Sequence, residues 1–164
     1  MRILGIDPGT YKMGVAVVEY DGARYSALYF DVITTPLKQP LSRRLDCIFE
    51  RLTDIVDRWK PTEVALEEPF AAKNIKAALA TGQAQAIALL VAARAGLDAS
   101  VYAPAQVKRA VVDYGVGTKE QVQEMVQIIL GLDSTPKSTD AADALAVAIC
   151  HINGARASEI EMRE

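Results

Sequence analysis

The first third of the chain alternates short apolar runs with turn signals, in the manner of consecutive strands. Residues 2–6 form an apolar run that closes on Asp-Pro-Gly at 7–9, where proline and glycine end a strand. Apolar and β-branched runs follow at 13–20 and 25–34, separated by the tight-turn pair Asp21-Gly22. Three strands joined by short connections predict an antiparallel meander.

The middle of the chain changes from strand to helix periodicity. Apolar residues between 41 and 59 recur at steps of three and four, which predicts an amphipathic helix that packs one face on a sheet. EVALE at 63–67 predicts a strand, Pro69 a loop, and the alanine-rich residues 74–95 a long helix. That helix is apolar nearly all round, so we expect a buried core helix that also contacts a second copy of the chain.

The last third continues the alternation of strand and helix. Residues 100–103 predict a fifth strand, and Pro104 opens a helix that Gly115 and Gly117 end. Thr118 with Gln121 forms a capping box for a helix that we expect to end near 130. A final helix is predicted over 139–153.

These elements predict an α/β fold with a five-stranded mixed sheet, its first three strands antiparallel, and helices on both faces. Three strands, a helix, and then alternating strand and helix is the order found in the ribonuclease-H-like fold. With 164 residues and 51 % apolar content, the chain can bury one core. We expect a single domain over 1–155 and a frayed tail over 156–164.

Charge is distributed unevenly along the chain. The formal net charge is −3, from 18 Lys and Arg against 21 Asp and Glu, and such a total argues against nonspecific binding of a polyanion. Between residues 73 and 119, however, six basic residues face two acidic ones, a local net of +4. The local positive charge is better evidence about polyanion binding than the total charge, and it indicates a basic face.

Cysteine usage and the N-terminus indicate a cytoplasmic protein. Cys47 and Cys150 each lie in an apolar helical pattern, which predicts two reduced, buried thiols, and their spacing suits no metal site. The first seven residues lack the layout of a signal peptide. The apolar stretch 77–93 is interrupted by polar residues, and we interpret it as too short and too polar to span a bilayer.

Acidic residues stand at the ends of three predicted elements. Asp7 ends the first strand, Glu67 and Glu68 end the fourth, and Asp140 and Asp143 open the last helix three residues apart, on one helix face. Acids at the ends of separate elements can converge on one point. Carboxylate oxygens are the ligands that Mg²⁺ prefers, and two such ions can assist in-line displacement at a phosphodiester.

Each acidic cluster also has a structural interpretation. Aspartate in the first turn of a helix complements the helix dipole, and Asp-Pro-Gly after a strand is commonly only a turn. Spacing alone does not choose between Glu67 and Glu68. The coincidence of three clusters in this element order is what favours a metal-dependent site, and with a single histidine and no paired cysteines a zinc mechanism has no ligands.

Six segments of the chain resemble, in order, the successive blocks of the RuvC family, the bacterial Holliday-junction resolvases. They are GIDPGT at 5–10 with MGVAVV at 13–18, ALEEPFAAKN at 65–74, TGQA at 81–84, PAQVKRAV at 104–111, GTKEQVQEMV at 117–126 and TDAADALAVAICH at 139–151. The resemblance covers almost the whole chain. It departs from the family pattern at Glu68, where a neutral residue is expected, and at Tyr11 and Lys12 after the DPG turn.

The resemblance implies an activity and the groups that serve it. It implies a Mg²⁺- or Mn²⁺-dependent endonuclease that nicks four-way DNA junctions symmetrically as a homodimer, in recombination and repair, alongside the RuvA-RuvB branch-migration complex. By resemblance the catalytic metal ligands, for two Mg²⁺ per site, are Asp7, Glu67, Asp140 and Asp143.

The resemblance and the local charge together suggest residues that contact DNA. Phe70 matches an aromatic that the family places near the junction crossover, where a ring can stack on unpaired bases. Lys108 and Lys119 match family lysines that line the site. The DNA-binding residues predicted in this way are Phe70, Lys73, Lys76, Lys108, Arg109 and Lys119. We expect His151 to be structural.

Two other functions remain open from the residues alone. The DPGT turn also resembles the phosphate loop of actin-like kinases, which would make the chain a small nucleotide-binding module. The chain could also be a junction-binding protein without activity whose acids are vestigial. Against the first stands the lack of a second lobe in 164 residues, and against the second the full set of four acids.

Overall fold

The structure, a computed structural model, describes residues 1–69, 74–112 and 117–162. Its strands are β1 (Arg2–Asp7), β2 (Lys12–Tyr20), β3 (Tyr25–Thr34), β4 (Glu63–Glu67) and β5 (Asp98–Tyr102). Its helices are α1 (Leu41–Trp59), α2 (Ile75–Arg94), α3 (Pro104–Val111), α4 (Lys119–Leu130) and α5 (Thr139–Glu161). The predicted types and order of the elements are confirmed.

All five strands belong to one sheet in the order β3-β2-β1-β4-β5. The pairs β1–β2 and β2–β3 are antiparallel, whereas β1–β4 and β4–β5 are parallel. Strands β1, β3, β4 and β5 therefore run in one direction and end at the same edge of the sheet. We call this the carboxyl edge, and the ends of its strands are Asp7, Thr34, Glu67 and Tyr102.

Helices cover both faces of the sheet, as predicted. Alternate side chains of each strand point to opposite faces, so that Ile3 packs with α3, α4 and α5, whereas Leu4 and Ile6 pack with α1 and α2. Both clusters are fully buried around the central strand β1. This division explains why β1, β2 and β4 have near-continuous apolar sequences.

Two glycines let α5 lie directly against the sheet. A Cβ added to Gly5 would stand 2.2 Å from the carbonyl oxygen of Ala144, and one added to Gly14 would stand 1.9 Å from that of Asp140. No other residue fits at either position. The alanine-rich face of α5 completes this close contact, which brings the first turns of the helix over the ends of β1 and β2.

The last helix is longer than the sequence predicted. It ends at Glu161 rather than at Asn153, so residues 154–161 are helical, and these include 156–161 of the tail expected to fray over 156–164. These residues contain good helix formers and no proline. In addition, Arg156 stacks over the ring of Tyr20, 4.9 Å from its centroid, and donates a 3.0 Å hydrogen bond to the Tyr25 hydroxyl. These contacts with the β2–β3 hairpin extend the helix.

Helix α2 is not the buried core helix that its composition suggested. Only Ala84, Ala88, Val91 and Ala92 are buried, because small side chains make a narrow contact with α1 and the sheet. By length and hydropathy alone, the helix Ile75–Arg94 could cross a membrane, which differs from the prediction that 77–93 is too short and too polar to do so. Only 22 % of its most apolar stretch is buried in the fold. Its outer side therefore exposes apolar residues.

The two cysteines are free, as predicted. Cys150 is buried on α5, where burial raises the pKa of the thiol to about 11. Cys47 on α1 is only half-buried, which corrects the expectation that both thiols are buried.

Candidate active site

Four carboxylates line one open cleft at the carboxyl edge of the sheet. Asp7 and Glu67 end neighbouring parallel strands, since Ile6 pairs with Leu66, and Asp140 and Asp143 come from the first turns of α5. The cleft has a volume of about 540 Å³. Its lining residues are Asp7, Glu67, Pro104, Val107, Lys108, Lys119, Val122, Asp140 and Asp143.

Burial and mutual repulsion raise the pKa of the central acid, Asp7, to about 8. Loss of hydration is the largest cause, followed by the negative charges of Glu67, Asp143 and Asp140, while the Lys119 ammonium lowers the pKa. So high a pKa means that the ionised Asp7 carboxylate is unfavourable in this cleft, because the nearby positive charge does not balance burial and the neighbouring acids. Positive charge brought into the cleft would restore its ionised form.

Glu67 and Asp143 are perturbed in the same direction. Burial and the charge of Asp143 raise the pKa of Glu67 to about 7, against the lowering effect of Lys108 and Lys119. Burial also raises the pKa of Asp143, which the Asp140 charge raises further and the two lysines lower. Strongly perturbed acids in one cleft are typical of functional sites.

The two lysines enter the cleft from the helices opposite the acids. Lys108 belongs to α3, and Lys119 is the first residue of α4, directly after its N-cap Thr118. A lysine at a helix N-terminus opposes the helix dipole, so the helix itself does not favour Lys119 there. Its position is explained by the acids that it faces.

The donor set suits a hard divalent cation in kind. All four acids supply carboxylate oxygen, and neither His151 nor a cysteine lines the cleft. Among the side chains that the structure describes, no three of the types His, Cys, Asp and Glu stand close enough to hold one ion between them as they are arranged.

The structure distinguishes the two adjacent glutamates, which sequence spacing did not. Successive side chains of a strand point to opposite faces, and only Glu67 lines the cleft. Glu68 is exposed, and its backbone N–H donates a 2.8 Å hydrogen bond to the carbonyl oxygen of Tyr102. Glu68 therefore lies outside the acid cluster.

His151 lies apart from the acids, in a hydrogen-bonded group of its own. Its Nδ1 is 2.9 Å from the Tyr102 hydroxyl and its Nε2 is 3.0 Å from a carboxylate oxygen of Glu63. The imidazole is buried between β4, β5 and α5. This placement agrees with the expectation that it is structural.

The predicted DNA-binding residues fall into three groups. Lys108 and Lys119 line the cleft, whereas Arg109 and Lys76 are exposed and do not line it. The Arg109 Nε atom donates to the carbonyl oxygen of Ala105 in its own helix, at 3.3 Å. Phe70 and Lys73 lie outside the described residues.

Sequence reasoning missed two features of the site: the apolar wall of the cleft, and a buried arginine packed against the loop that follows β1. Val107 and Val122 line the cleft and help to dehydrate the acids, and nothing in the sequence pattern distinguished them from other apolar helix residues. Arg44, in the first turns of α1, is buried against Tyr11. No sequence pattern distinguished this arginine from an exposed one.

Comparison with known proteins agrees with this architecture. Residues 3–151 match the family described as crossover junction endodeoxyribonuclease RuvC. A protein of that name from Dehalococcoides mccartyi is 50 % identical over 151 residues, which are 92 % of each chain. Another from Heliobacterium modesticaldum is 50 % identical over 150 residues, 92 % of this chain and 93 % of the relative.

Solved structures agree as well. Thermus thermophilus RuvC in complex with a Holliday junction substrate superposes with a TM-score of 0.91 at 36 % identity, covering 96 % of both chains. The yeast mitochondrial Holliday junction resolvase superposes with a TM-score of 0.62 at 13 % identity, covering 91 % of this chain and 78 % of the other, and shares the fold alone.

The ribonuclease-H-like fold predicted from the order of elements is confirmed, and the nuclease interpretation is supported over the nucleotide-binding one. The chain belongs to the RuvC family of crossover junction endodeoxyribonucleases.

Proposed function

We propose that this protein resolves four-way DNA junctions by hydrolysing one phosphodiester in each of two opposed strands. The observation that carries the proposal is the cleft at the carboxyl edge, where four acids, three of them with raised pKa values, face two lysines. The RuvC relative solved with a Holliday junction substrate supports the choice of DNA junction.

The acids of the cleft would hold the divalent metal. Asp7, Glu67, Asp140 and Asp143 supply the carboxylate oxygens for two Mg²⁺, and we expect Mn²⁺ to substitute. When bound, such ions activate water and stabilise charge on the leaving oxygen. The apolar wall of the cleft keeps water away from these carboxylates, and the lysines favour their ionised form.

Lys108 and Lys119 act on the DNA strand that enters the cleft. Each ammonium can neutralise a phosphate oxygen, and in a partly dehydrated cleft such a charge also stabilises the pentavalent transition state. Both lysines already lower the pKa of Glu67, so they stand within electrostatic range of an acid that would hold the metal.

The basic segment 73–119 would extend this contact beyond the cleft. Its net charge of +4 supports a role for Lys73, Lys76 and Arg109 along the DNA backbone. Phe70 would stack on bases at the crossover, where stacking on an aromatic ring contributes about 1 to 3 kcal/mol per base.

A homodimer through α2 would suit a two-fold symmetric junction. The outer side of the helix exposes Ile75, Leu79 and Leu90, which are 84 %, 63 % and 48 % exposed. A Cβ added to Gly82 would meet no described atom within 4 Å, so the middle of this side leaves room for a second helix to approach. Two copies packed here would carry two identical cleavage sites.

The remaining assignments follow from the sequence and the family. We propose a cytoplasmic protein of one domain over 1–155, which works with the RuvA-RuvB branch-migration complex. The free cysteines agree with a reducing compartment.

Cleavage of a labelled four-way junction tests the proposal. The parent protein with Mg²⁺ or Mn²⁺ should nick two opposed strands at symmetric positions, and Asp7→Asn should bind the junction without cutting it. Equal cutting by both proteins would contradict the site assignment. ATP hydrolysis without nicking would favour the nucleotide-binding module, and binding without nicking by the parent would favour the inactive junction-binding protein.

A further inference from the structure

A buried arginine lies behind the loop that follows Asp7. The Arg44 side chain is only 8 % exposed, and its guanidinium packs 4.0 Å from the centroid of the Tyr11 ring. Its Nη1 donates one long hydrogen bond, 3.4 Å, to the Thr10 hydroxyl. Its Nε is buried without a hydrogen-bond partner among the described residues. A guanidinium has five N–H groups, so this cation is poorly satisfied.

No carboxylate of the described residues lies within ion-pair distance of Arg44. Residues 32–45 contain no aspartate or glutamate, and the next acid, Asp46, pairs with the exposed Arg43 at 3.9 Å. Within the described ranges Arg44 forms no ion pair.

The N-terminus of α1 adds positive potential at the same place. Its N-cap is Pro40, which gives no side-chain cap, and its first turn contains no acid. Backbone N–H groups at a helix start favour an anion, and arginine there opposes the helix dipole. A buried cation and an uncapped helix start therefore reinforce each other instead of cancelling.

The topology places this cation beside the acid cluster. Thr10 is three residues from Asp7, a span of at most about 10 Å. Thr35, just after β3, donates a 2.6 Å hydrogen bond from its hydroxyl to the Thr10 carbonyl oxygen, which ties the loop to the entry of α1. The carboxyl edge thus has Arg44 on one side of the acids and Lys108 on the other.

We propose that Arg44 binds a phosphodiester of the junction strand other than the one that is cut. The Tyr11 ring covers one face of the guanidinium and leaves its in-plane N–H groups for two phosphate oxygens, the bidentate geometry that arginine favours. Tyr11 is itself 47 % exposed, so rotation of its side chain opens the cation to the surface. The Thr10 hydroxyl orients the guanidinium.

The position of that phosphate follows from the distance. The Thr10 Cα lies at most about 10 Å from the Asp7 Cα, and the Arg44 guanidinium donates a hydrogen bond to the Thr10 hydroxyl. The phosphate would therefore lie a few nucleotides from the cleaved bond, on a strand whose bases rise by about 3.4 Å. Arg44 and Lys108 would then hold the strand on either side of the scissile bond. This inference rests on the proposed function, because the anion is part of the junction.

Junction binding by Arg44→Gln tests the subsite, with Arg43→Gln as the matched control. Affinity is measured in the Asp7→Asn background, so that the DNA stays intact, across a series of KCl concentrations. Arg44→Gln should weaken binding about tenfold or more and reduce the slope of log K against log salt by about 0.9, the effect of one lost phosphate contact. Arg43→Gln should change the affinity less than about threefold.

Junctions that carry a single methylphosphonate locate the contact. The Asp7→Asn protein should lose affinity at one position within about three nucleotides of the cleaved bond, and Arg44→Gln should lose nothing further there. If Arg44→Gln does not fold, Arg44→Lys takes its place, because lysine keeps the charge and loses the bidentate geometry.

Equal affinities and slopes for Arg44→Gln and Arg43→Gln, or an unchanged methylphosphonate profile, would show that Arg44 only supports the loop. Because the parent's nicking is assayed in parallel, this failure is distinct from failure of the proposed function, in which the parent would not cut at all.

Discussion

The Cα of Gly14 faces the carbonyl oxygen of Asp140 so closely that a Cβ on the glycine would stand 1.9 Å from that oxygen. The contact joins the start of β2 to the first turn of α5, which carries two of the four acids. The absence of one side chain therefore determines where Asp140 and Asp143 lie.

Gly14→Ala should displace the first turn of α5. The backbone cannot relax like the end of a side chain, so we expect a loss of about 1 to 3 kcal/mol in the free energy of unfolding and a large loss of nicking. Gly154→Ala is the control, because a Cβ there meets nothing within 4 Å and the residue lies inside the same helix. Alanine at 154 should stabilise the protein by about 0.5 to 1 kcal/mol and leave nicking intact. Urea unfolding and the junction assay measure both, and similar behaviour of the two variants would refute the argument.

Glu67→Gln and Glu68→Gln should differ sharply although the residues are adjacent. Glu67→Gln removes a charge from the cleft, and we expect a fall of about a hundredfold or more in the nicking rate at saturating Mg²⁺. Glu68→Gln changes an exposed side chain and should alter the rate less than about threefold. Single-turnover nicking of a labelled junction measures the two rates. A comparable loss in Glu68→Gln would mean that Glu68 also acts in the site.

The stability of the metal-free protein should fall as pH rises. The pKa of Asp7 is about 8 in the folded protein and about 4 in the unfolded chain, so the folded state binds more protons between these values. Ionisation in the fold is then unfavourable, and stability decreases from about pH 4 to about pH 8. Asp7→Asn removes this cost and should be more stable than the parent at the upper end, by at least about 1 kcal/mol, with little advantage below pH 4.

Urea unfolding in EDTA at several pH values measures this difference. Adding Mg²⁺ should stabilise the parent most at the alkaline end, since the cation binds the ionised carboxylates. Asp7→Asn should respond less. A parent protein whose stability rises steadily with pH in EDTA would contradict the raised pKa.

The buried imidazole of His151 should matter for folding and not for chemistry. His151→Ala leaves a cavity and strands the Tyr102 hydroxyl, so we expect a loss of about 2 to 4 kcal/mol in the free energy of unfolding. Tyr102→Phe removes one hydrogen bond and should cost about 0.5 to 1.5 kcal/mol. Below their melting temperatures both variants should nick junctions at nearly the parent rate. A selective loss of nicking in a stable variant would place His151 in the reaction.

A charge on the outer side of α2 should disrupt the proposed dimer. Leu79→Glu keeps a good helix former at a position that is 63 % exposed, so the fold of a single chain should persist. Burying that carboxylate against a second copy is unfavourable, and sedimentation should detect monomers. Ile128→Glu, on α4 at a site 70 % exposed, is the control and should remain dimeric. Dimers in both variants would exclude this side of α2 as the interface.

Local sequence was sufficient for the elements and for the set of acids. Strand alternation, the stripe over 41–59 and the Thr118 capping box predicted the order of elements, because these signals depend on nearest neighbours along the chain. Parallel strands that share an edge then allowed Asp7 and Glu67 to meet. Motif order supplied the family, which the comparisons confirm.

Tertiary structure decided what periodicity could not encode. The choice of Glu67 over Glu68 depends on which face of β4 turns to the cleft, and the extension of α5 to Glu161 depends on Arg156 reaching the hairpin. Composition overestimated the burial of α2. It counts the apolar residues of the helix but does not show how many of them contact the rest of the fold.

The sequence by itself determined which residues the protein has for chemistry and in which elements they stand. Only the tertiary structure decided that α5 lies against Gly5 and Gly14, that the acids are dehydrated in one cleft, and that Arg44 is buried without an ion pair among the described residues. The physical reason is that burial and charge compensation depend on distances between segments far apart in the chain, which no local pattern specifies.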